Sequence, residues 1–215
     1  EANFSDHGGN RLGASALMQG LADGYFIVPV TIGDYLSKKF AEPKTDVNTP
    51  EFLAAEKAVQ DRIDRLFAIN GTVPVDTLHK ELGHIMWEYV GMAREKAGLE
   101  KAIEEIKALK KKFYETVRVT GSQFEFNQEL EKALRLEDFF EIGELMARDA
   151  LNRAESCGGH FRVESQTEEG EAKRDDAHFM YVAAWEYKGE NEEPELHKEP
   201  LEYENIKVIT RNYKD

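Results

Sequence analysis

One run of apolar residues restricts the fold of this chain more than any other feature of its sequence. Between residues 99 and 117, large apolar side chains recur at intervals of three and four, which is the period of one face of an α-helix. They are Leu99, Ile103, Ile106, Leu109, Phe113 and Val117. Because such a stripe is suited to packing against other helices, the sequence predicts helix-on-helix packing.

Helical signals continue on both sides of this stripe. Thr49 followed by Pro50 is a helix start, and Asn70-Gly71 is a helix end. Another helix opens at Asp76 or the next residue, and a last long helix runs over about 126–155. Short loops between successive helices predict an antiparallel bundle. The apolar stripes are Phe52, Val59, Ile63, Leu66 and Phe67, then Leu78, Leu82, Ile85 and Tyr89, and finally Leu130, Leu134, Ile142, Leu145, Met146 and Leu151.

The two ends of the chain have a different character. FMYVAAWEY and NIKVIT are rich in aromatic and β-branched residues, and the charged run KGENEEPELHKEP separates them, which predicts two strands joined by a long charged loop. At the other end, a glycine-rich loop leads into an apolar helix that Ser15 could cap. The predicted fold is therefore mainly α: a segment over 1–40, an antiparallel helical bundle over 41–156, and a small β-containing region over 157–215.

Charge and cysteine content exclude several classes of protein. The formal net charge is −14 and the pI is about 5.0, which argues against nucleic acid or an anionic membrane surface as partners because both are polyanions. Cys157 is the only cysteine, so no internal disulfide is possible and a reducing compartment is expected. No apolar run reaches the roughly 20 residues that a membrane-spanning helix needs. The chain begins EANFSDHGG, without methionine, and we expect it to be a piece of a longer protein.

Motifs for metal, phosphate or nucleophilic chemistry are weak. His79 and His84 are five residues apart and would not share a helical face, so no metal site is predicted. GGNRLG does not follow a strand in this chain and fails as a dinucleotide fingerprint. Cys157 and His160 could form a nucleophilic pair, although two glycines at a helix end explain that stretch more simply. We assign no catalytic residue within the chain.

The strongest candidate for a binding site is HGGNRLGASAL, near the start of the chain. The planar guanidinium of Arg11 matches a carboxylate with two parallel hydrogen bonds. The small residues after it begin a helix, whose N-terminus offers free N–H donors and a partial positive charge. Arg11 could thus hold one carboxylate, and the amides near Ala16 and Leu17 a second electron-rich group. The alternative is a surface arginine ahead of a capped helix.

This segment also carries a resemblance to a known family. EANFSDHGGNRLGASAL resembles the arginine loop of the flavoprotein subunit of succinate dehydrogenase and fumarate reductase. LGHIMWEYVGMARE, MARDALNRAESCGGHFR and the closing DD…F…Y…AWEY run are similar to later parts of the same subunit. The resemblance covers the whole chain. It implies that residues 1–40 are a C-terminal remnant of the FAD-binding domain, followed by the helical bundle.

The resemblance implies a set of binding residues. Arg11 matches the arginine that holds a carboxyl group of the dicarboxylate substrate beside the flavin. Glu1 matches the glutamate of a GE pair that contacts FAD. Ser15, Ala16 and Leu17 match positions whose backbone amides face the flavin, where the helix dipole would favour the negative charge of a reduced flavin.

Departures from the family pattern limit what the chain can do alone. Ala14 and Ser15 replace a glycine and an asparagine, a mild change where only amides take part, and Cys157 replaces an arginine. The family's remaining FAD, substrate and proton-transfer residues precede this segment. We therefore expect the chain alone to bind FAD weakly or not at all and to have no turnover. A second group of polar residues lies near the C-terminal end of the predicted bundle: Arg153, Glu155, His160 and Arg162. These residues could line the active site. We expect instead that they form ion pairs between the bundle and the flavin domain.

The resemblance also implies partners and a location. It implies a subunit that interconverts succinate and fumarate through FAD and passes electrons to an iron–sulfur subunit. A membrane anchor subunit would hold the complex on the cytoplasmic face of the inner membrane, with no membrane span in this chain. One alternative is an enzyme similar to L-aspartate oxidase, which shares the arginine loop and the bundle. The other is a purely structural domain that docks partner subunits.

Overall fold

The computed structural model describes residues 13–189, 192–205 and 207–209. Helices dominate these ranges, and the strands are short. The helices are α1 (Gly13–Ala22), a π-helical turn (Asp23–Ile27), α2 (Val28–Lys39), α3 (Pro50–Ile69), α4 (Val75–Val90), α5 (Lys96–Thr116), α6 (Gln128–Asn152) and α7 (Asp176–Phe179). The strands are β1 (Val73–Pro74), β2 (Val117–Arg118), β3 (Tyr181–Glu186) and β4 (Glu195–Pro200).

Helices α4, α5 and α6 form an up-down-up bundle, as the sequence predicted. Their directions follow from pairs that cross between helices. Lys112 on α5 lies 2.7 Å from Glu81 on α4, whereas Lys101, about three turns earlier on α5, reaches Tyr89 near the end of α4. The ring of His79, early in α4, stacks 5.6 Å from Phe139 in the first half of α6. Neighbours in sequence are therefore antiparallel, and α4 and α6 run the same way.

The α5 stripe is confirmed as the centre of the core. Five of its six residues are buried, and Ile103 packs against them while partly exposed. The predicted α6 stripe is wrong in part, because Ile142 is 55% and Met146 47% exposed. The face of α6 that enters the core instead carries Leu130, Ala133, Leu136, Phe140, Gly143, Ala147 and Ala150. These mostly small residues let α6 lie close to its neighbours, and a Cβ added at Gly143 would lie 3.2 Å from Met86 Sδ.

Helix α3 joins the bundle through one buried carboxylate. Glu137 on α6 is 5% exposed and accepts from Arg65 Nη2 at 2.8 Å and from the Tyr114 hydroxyl at 2.9 Å. Arg62 bonds its other oxygen and also the Asp138 carboxylate. A buried charge is tolerated only when it is paired and hydrogen-bonded, so this set fixes where α3 sits on α5 and α6.

The predicted helix ends are largely confirmed. Thr49 precedes Pro50 at the start of α3, and Asn70 ends that helix in the left-handed conformation, with φ of 43°. Gly71 follows, and its amide donates to the Val117 carbonyl at 3.0 Å. A Cβ at this glycine would lie 2.0 Å from the Thr116 carbonyl oxygen. The close approach brings β1 beside β2 in a short parallel pair that ties α3 to the end of α5.

The C-terminal strands form an antiparallel hairpin, but its second strand was predicted in the wrong place. FMYVAAWEY contains β3, as expected, and β3 pairs with β4 so that Glu186 faces Glu195. Strand β4 lies inside the run predicted as loop, and the described residues of NIKVIT are not in a strand. The segment nearer in sequence pairs with β3, and charged side chains are tolerated on an exposed edge strand. Cross-strand pairs such as His197 Nε2 with Glu186 Oε2, at 2.7 Å, support it.

The helix formed by α1, the π-helical turn and α2 is nearly all exposed, and in the described ranges no bundle helix packs closely against it. It begins at Gly13, so Ser15 lies within its first turn and does not cap it. Residues 41–49 separate this helix from α3 without regular structure. The domain boundaries at 40 and 156 stay predictions. Among the described helices, none is both long and apolar enough to span a membrane.

Candidate functional site

The start of α1 carries three of the predicted flavin contacts. Ser15, Ala16 and Leu17 are the third, fourth and fifth residues of this helix, which begins at Gly13. Ala16 is 6% exposed, whereas the Leu17 side chain is 72% exposed. The other two predicted site residues, Glu1 and Arg11, lie outside the described residues.

This first turn has the chemistry of an acceptor-binding site. The first four N–H groups of an α-helix have no partner within the helix, and the helix dipole adds partial positive charge at that end. A helix N-terminus therefore favours a group with carbonyl oxygens or a negative charge over a cation. Leu17 adds an exposed apolar surface beside these donors. The residues present thus fit one edge of a flavin ring.

A second polar group, around His160, closes one end of the bundle. Arg94 donates through Nη1 to His160 Nδ1 at 2.7 Å, and His160 Nε2 lies 2.8 Å from the Arg153 carbonyl oxygen. Because Arg94 can only donate, the imidazole accepts at Nδ1 and carries its proton on Nε2. Arg94 also donates through Nε to the carbonyls of Val90 and Gly91. It thereby satisfies the open carbonyls at the C-terminal end of α4.

Arg162 and Glu164 provide hydrogen-bond partners for the two neighbouring helix ends, the C-terminal end of α6 and the N-terminal end of α5. Arg162 is buried, and its Nη1 donates to the Ala150 and Leu151 carbonyls near the end of α6, at 2.9 and 3.3 Å. Glu164 accepts from the Lys96 amide at the start of α5, at 2.6 Å. A cation at a helix C-terminus and an anion at a helix N-terminus both match the helix dipole. The segment 153–164 is therefore a cap over one end of the bundle.

Arg153 and Glu155 link this cap to the hairpin. Arg153 Nη1 donates to Glu155 Oε1 at 2.8 Å, and Arg153 Nη2 to the Tyr181 carbonyl at 3.0 Å. Glu155, which is buried, accepts from the Asp175 amide at 2.8 Å. These residues thus have partners within the chain itself, and the expected contacts of the group with a flavin domain stay a prediction. Sequence reasoning missed Arg94 and Glu164, because nothing local in GMAREK or FRVES indicates a partner about 65 residues away.

The cap shifts the pKa of two of its groups. Burial has the largest effect and lowers the pKa of His160 below its ordinary value. The hydrogen bond to the Arg153 carbonyl raises this pKa in part, the positive charges of Arg94 and Arg162 lower it further, and Asp149 has the smallest, raising effect. The histidine is therefore held neutral at pH 7. Burial, followed by the charge of Glu155, raises the pKa of the Cys157 thiol.

These contacts oppose a nucleophilic role for Cys157. Cys157 and His160 pair through their backbones, with N–H to O distances of 2.9 and 3.0 Å in the two directions. Both imidazole nitrogens are already engaged, by Arg94 and by the Arg153 carbonyl. A raised thiol pKa also disfavours the reactive thiolate. The simpler interpretation, a turn with two glycines, accounts for the CGGH stretch.

One group of potential metal ligands was not predicted from the sequence. Glu186, Glu195 and His197 lie together on the exposed face of the hairpin. Lys188 Nζ forms ion pairs with both carboxylates, at 2.8 Å from Glu186 Oε1 and 2.7 Å from Glu195 Oε2. The three side chains are therefore explained as cross-strand pairing of a charged hairpin. His79 and His84 lie apart as predicted, His79 against Phe139 and His84 along the groove between α4 and α5.

The fold is shared with chains of respiratory fumarate and succinate enzymes. The Escherichia coli quinol fumarate reductase FrdA aligns with a TM-score of 0.65 at 23% identity, covering 80% of this chain and 28% of that one. Mycobacterium smegmatis Sdh1 aligns with a TM-score of 0.62 at 23% identity, covering 81% of this chain and 27% of that one. At this level of identity the likeness shows the fold.

Sequence comparison identifies the family. The family model described as "Fumarate reductase flavoprotein C-term" matches residues 79–213, more than half of the chain, and the chain therefore belongs to this family. It is 27% identical over 207 residues to the fumarate reductase flavoprotein subunit of Haemophilus influenzae, covering 96% of this chain and 32% of the relative. The succinate dehydrogenase flavoprotein subunit of Bacillus subtilis is 24% identical over 213 residues, with 99% and 35% covered. The chain thus spans about a third of the length of these relatives, and the predicted resemblance is confirmed.

Proposed function

We propose that this chain is part of a flavoprotein subunit that interconverts succinate and fumarate through FAD. The observation that carries the proposal is the family match over 79–213, which lies on the bundle, its cap and the hairpin. Relatives named fumarate reductase and succinate dehydrogenase flavoprotein subunits support the succinate and fumarate assignment. FAD would supply reversible two-electron chemistry when bound in the intact subunit.

The chain's own residues bind and orient in this proposal. Arg11 holds one carboxylate of the dicarboxylate with its planar fork. The amides of Ser15, Ala16 and Leu17 bind the electron-rich edge of the flavin at the start of α1, and Glu1 makes a further contact with FAD. The exposed Leu17 side chain keeps water away from that edge. The position of these residues at the start of α1 supports this placement, because the helix dipole favours an electron-rich group at that end.

The intact subunit would work in a complex. We propose an iron–sulfur subunit as the electron acceptor or donor and a membrane anchor subunit that holds both at the cytoplasmic face of the inner membrane. The similarity to chains of quinol fumarate reductase supports such an assembly. The absence of a membrane-spanning helix from the described ranges is compatible with attachment through partners.

The test uses the whole product of the gene that encodes this chain. Its bound flavin and its dye-linked activities with succinate, fumarate and aspartate are measured together. Arg11→Ala should lower kcat/KM for the dicarboxylate about 30- to 1000-fold, the loss expected when a charge-assisted pair of hydrogen bonds is removed. Arg135→Ala is the matched control, because Arg135 makes only an exposed pair with Glu131 on α6, and its activity should stay within about twofold.

A second pair of variants tests the flavin contact. Ser15→Pro removes one amide donor at a place in the first helical turn where proline is tolerated, and should reduce flavin occupancy. Ser15→Ala keeps the amide and should retain the flavin. A flavin-free product would refute the proposal. Activity with aspartate but not with succinate would assign the protein to the oxidase alternative.

A further inference from the structure

A cavity of about 730 Å³ lies between the bundle and the hairpin. Helices α3, α5 and α6 form its floor, and β3 with the start of the hairpin loop forms its outer wall. Its volume falls within the range of small-molecule sites, roughly 300–1,000 Å³. No residue of α1 or α2 lines it, so it has no part in the proposed flavin contact.

One part of the cavity wall is apolar and partly aromatic. Trp185 stands on one side, and its indole is fixed by a hydrogen bond from Nε1 to Asp149 Oδ1 at 2.8 Å. Ile142 and Leu145 of α6 and Ile69 of α3 also line the cavity, with Tyr114 beside them on α5. Ile142 is more than half exposed although it is a large aliphatic residue. An apolar body placed here would cover it.

Positive charge gathers at the cavity in a chain that is strongly acidic overall. Among the described lining residues, six are basic and four acidic, whereas the whole chain carries −14. Some of these cations are closely paired: Arg148 lies 2.7 Å from Glu144, and Lys110 contacts Glu141.

Two lysines of α5 are held much more loosely. Lys107 lies 3.5 Å from Glu193 and 3.7 Å from Glu144, and Lys111 lies 3.9 Å from Glu115. Strong charge-assisted hydrogen bonds measure about 2.7–2.9 Å. The two lysines are four residues apart on one face of α5, and both line the cavity. Together they have donors to offer an anion.

We propose that this cavity binds an aromatic carboxylate, with its ring between Trp185 and Ile142 and its carboxylate at Lys107 and Lys111. The apolar walls require a ligand with an apolar body. A four-carbon dicarboxylate has no such body and would leave most of the cavity empty. The fixed indole favours a flat ring that can stack on it. The paired ammonium groups select the anion over a neutral analogue of the same shape.

The experiment titrates this chain with 2-naphthoate at low salt. Calorimetry gives the affinity, and the indole N–H signal in the NMR spectrum of the Trp87→Phe variant reports the site, because Trp185 is then the only tryptophan. We expect one-to-one binding that shifts this signal. Neutral 2-naphthalenemethanol and succinate should each bind at least about tenfold more weakly.

Matched variants separate the two parts of the site. Lys107→Gln with Lys111→Gln should weaken naphthoate binding about tenfold or more. Lys57→Gln with Lys96→Gln, exposed lysines in similar helical pairs away from the cavity, should change nothing. Ile142→Gln should also weaken binding, whereas Met146→Gln, on the same helix but outside the lining, should not.

Three results would overturn the proposal. They are the absence of heat and signal shift up to millimolar naphthoate, equal affinity for the neutral alcohol, and equal affinity of the cavity and control lysine variants. Since flavin and dicarboxylate take no part in these measurements, failure here leaves the proposed enzymatic function standing, and failure of that function leaves this site standing.

Discussion

Replacing His160 with glutamine should weaken the fall in the free energy of unfolding of this chain as the pH is lowered from neutral. In the folded protein the imidazole accepts from Arg94 at Nδ1 and donates from Nε2 to the Arg153 carbonyl. Protonation would place a third positive charge beside Arg94 and Arg162 in a half-buried site. Burial and these two arginines therefore lower the pKa of His160 in the folded state.

The magnitude follows from linkage between protonation and folding. In the unfolded chain the histidine has its ordinary pKa of about 6.5. Below that pH the unfolded state binds more protons than the folded state, so stability is full above about pH 6.5 and is lost as the pH falls. The free energy of unfolding can fall by at most about 1.4 kcal/mol per pH unit through this one group. Because little of the change occurs above pH 6.5, the total fall between pH 7.5 and 5.5 is also at most about 1.4 kcal/mol.

Glutamine does not titrate, and its amide can still donate to the Arg153 carbonyl. The flexible amide does not reproduce the fixed geometry with which the imidazole serves both Arg94 and the Arg153 carbonyl, so we expect the variant to be less stable than the parent by about 1–2 kcal/mol at pH 7.5. This deficit should shrink toward pH 5.5. The assay is urea unfolding followed by circular dichroism at half-unit pH steps. His84→Gln, an exposed histidine of α4, is the control and should follow the parent at every pH. A His160→Gln profile parallel to that of the parent would refute the reasoning.

Two other predictions concern a close contact and the single thiol. Gly71→Ala should destabilise the fold by about 1–3 kcal/mol in urea unfolding, because its Cβ would meet the rigid Thr116 carbonyl. Gly143→Ala should change stability by less than about 1 kcal/mol, because the flexible Met86 side chain can move and alanine favours the helix; equal losses at both positions would contradict this account. Cys157 should react with iodoacetamide at least severalfold more slowly in the folded chain than in urea, because burial and Glu155 raise the pKa of its thiol. Equal rates in the two states would show that the folded structure does not protect it.

Local signals in the sequence predicted the helices well because those signals are themselves local. The proline after Thr49 and the left-handed Asn70 act on the backbone within one turn, so the bounds of α3 were accessible. Strand β4 was not, because its position depends on the partner that β3 finds. The charged segment that pairs has low strand propensity, and pairing with β3 outweighed that preference.

The cap over the bundle was beyond reach of the sequence for a different reason. Three helix ends meet at one place only because the bundle runs up, down and up. Arg94, Arg162 and Glu164 then serve the ends of α4, α6 and α5 in turn. The sequence showed charged residues near a glycine pair, and this suggested a binding face. What it could not show is that the unsatisfied carbonyls and amides of the helices themselves are their partners.

The error over the α6 stripe has a physical cause that bears on function. Periodicity analysis selects the largest apolar residues on the assumption that a helix has one buried face. Helix α6 makes contacts on two faces. One face packs closely in the bundle core through Ala133, Gly143, Ala147 and Ala150, and the other faces the hairpin. Ile142 and Leu145 belong to this second side, where they line the cavity with Trp185. Large apolar residues outside the core of a bundle are therefore best explained by a second layer, and here that layer encloses space for a ligand.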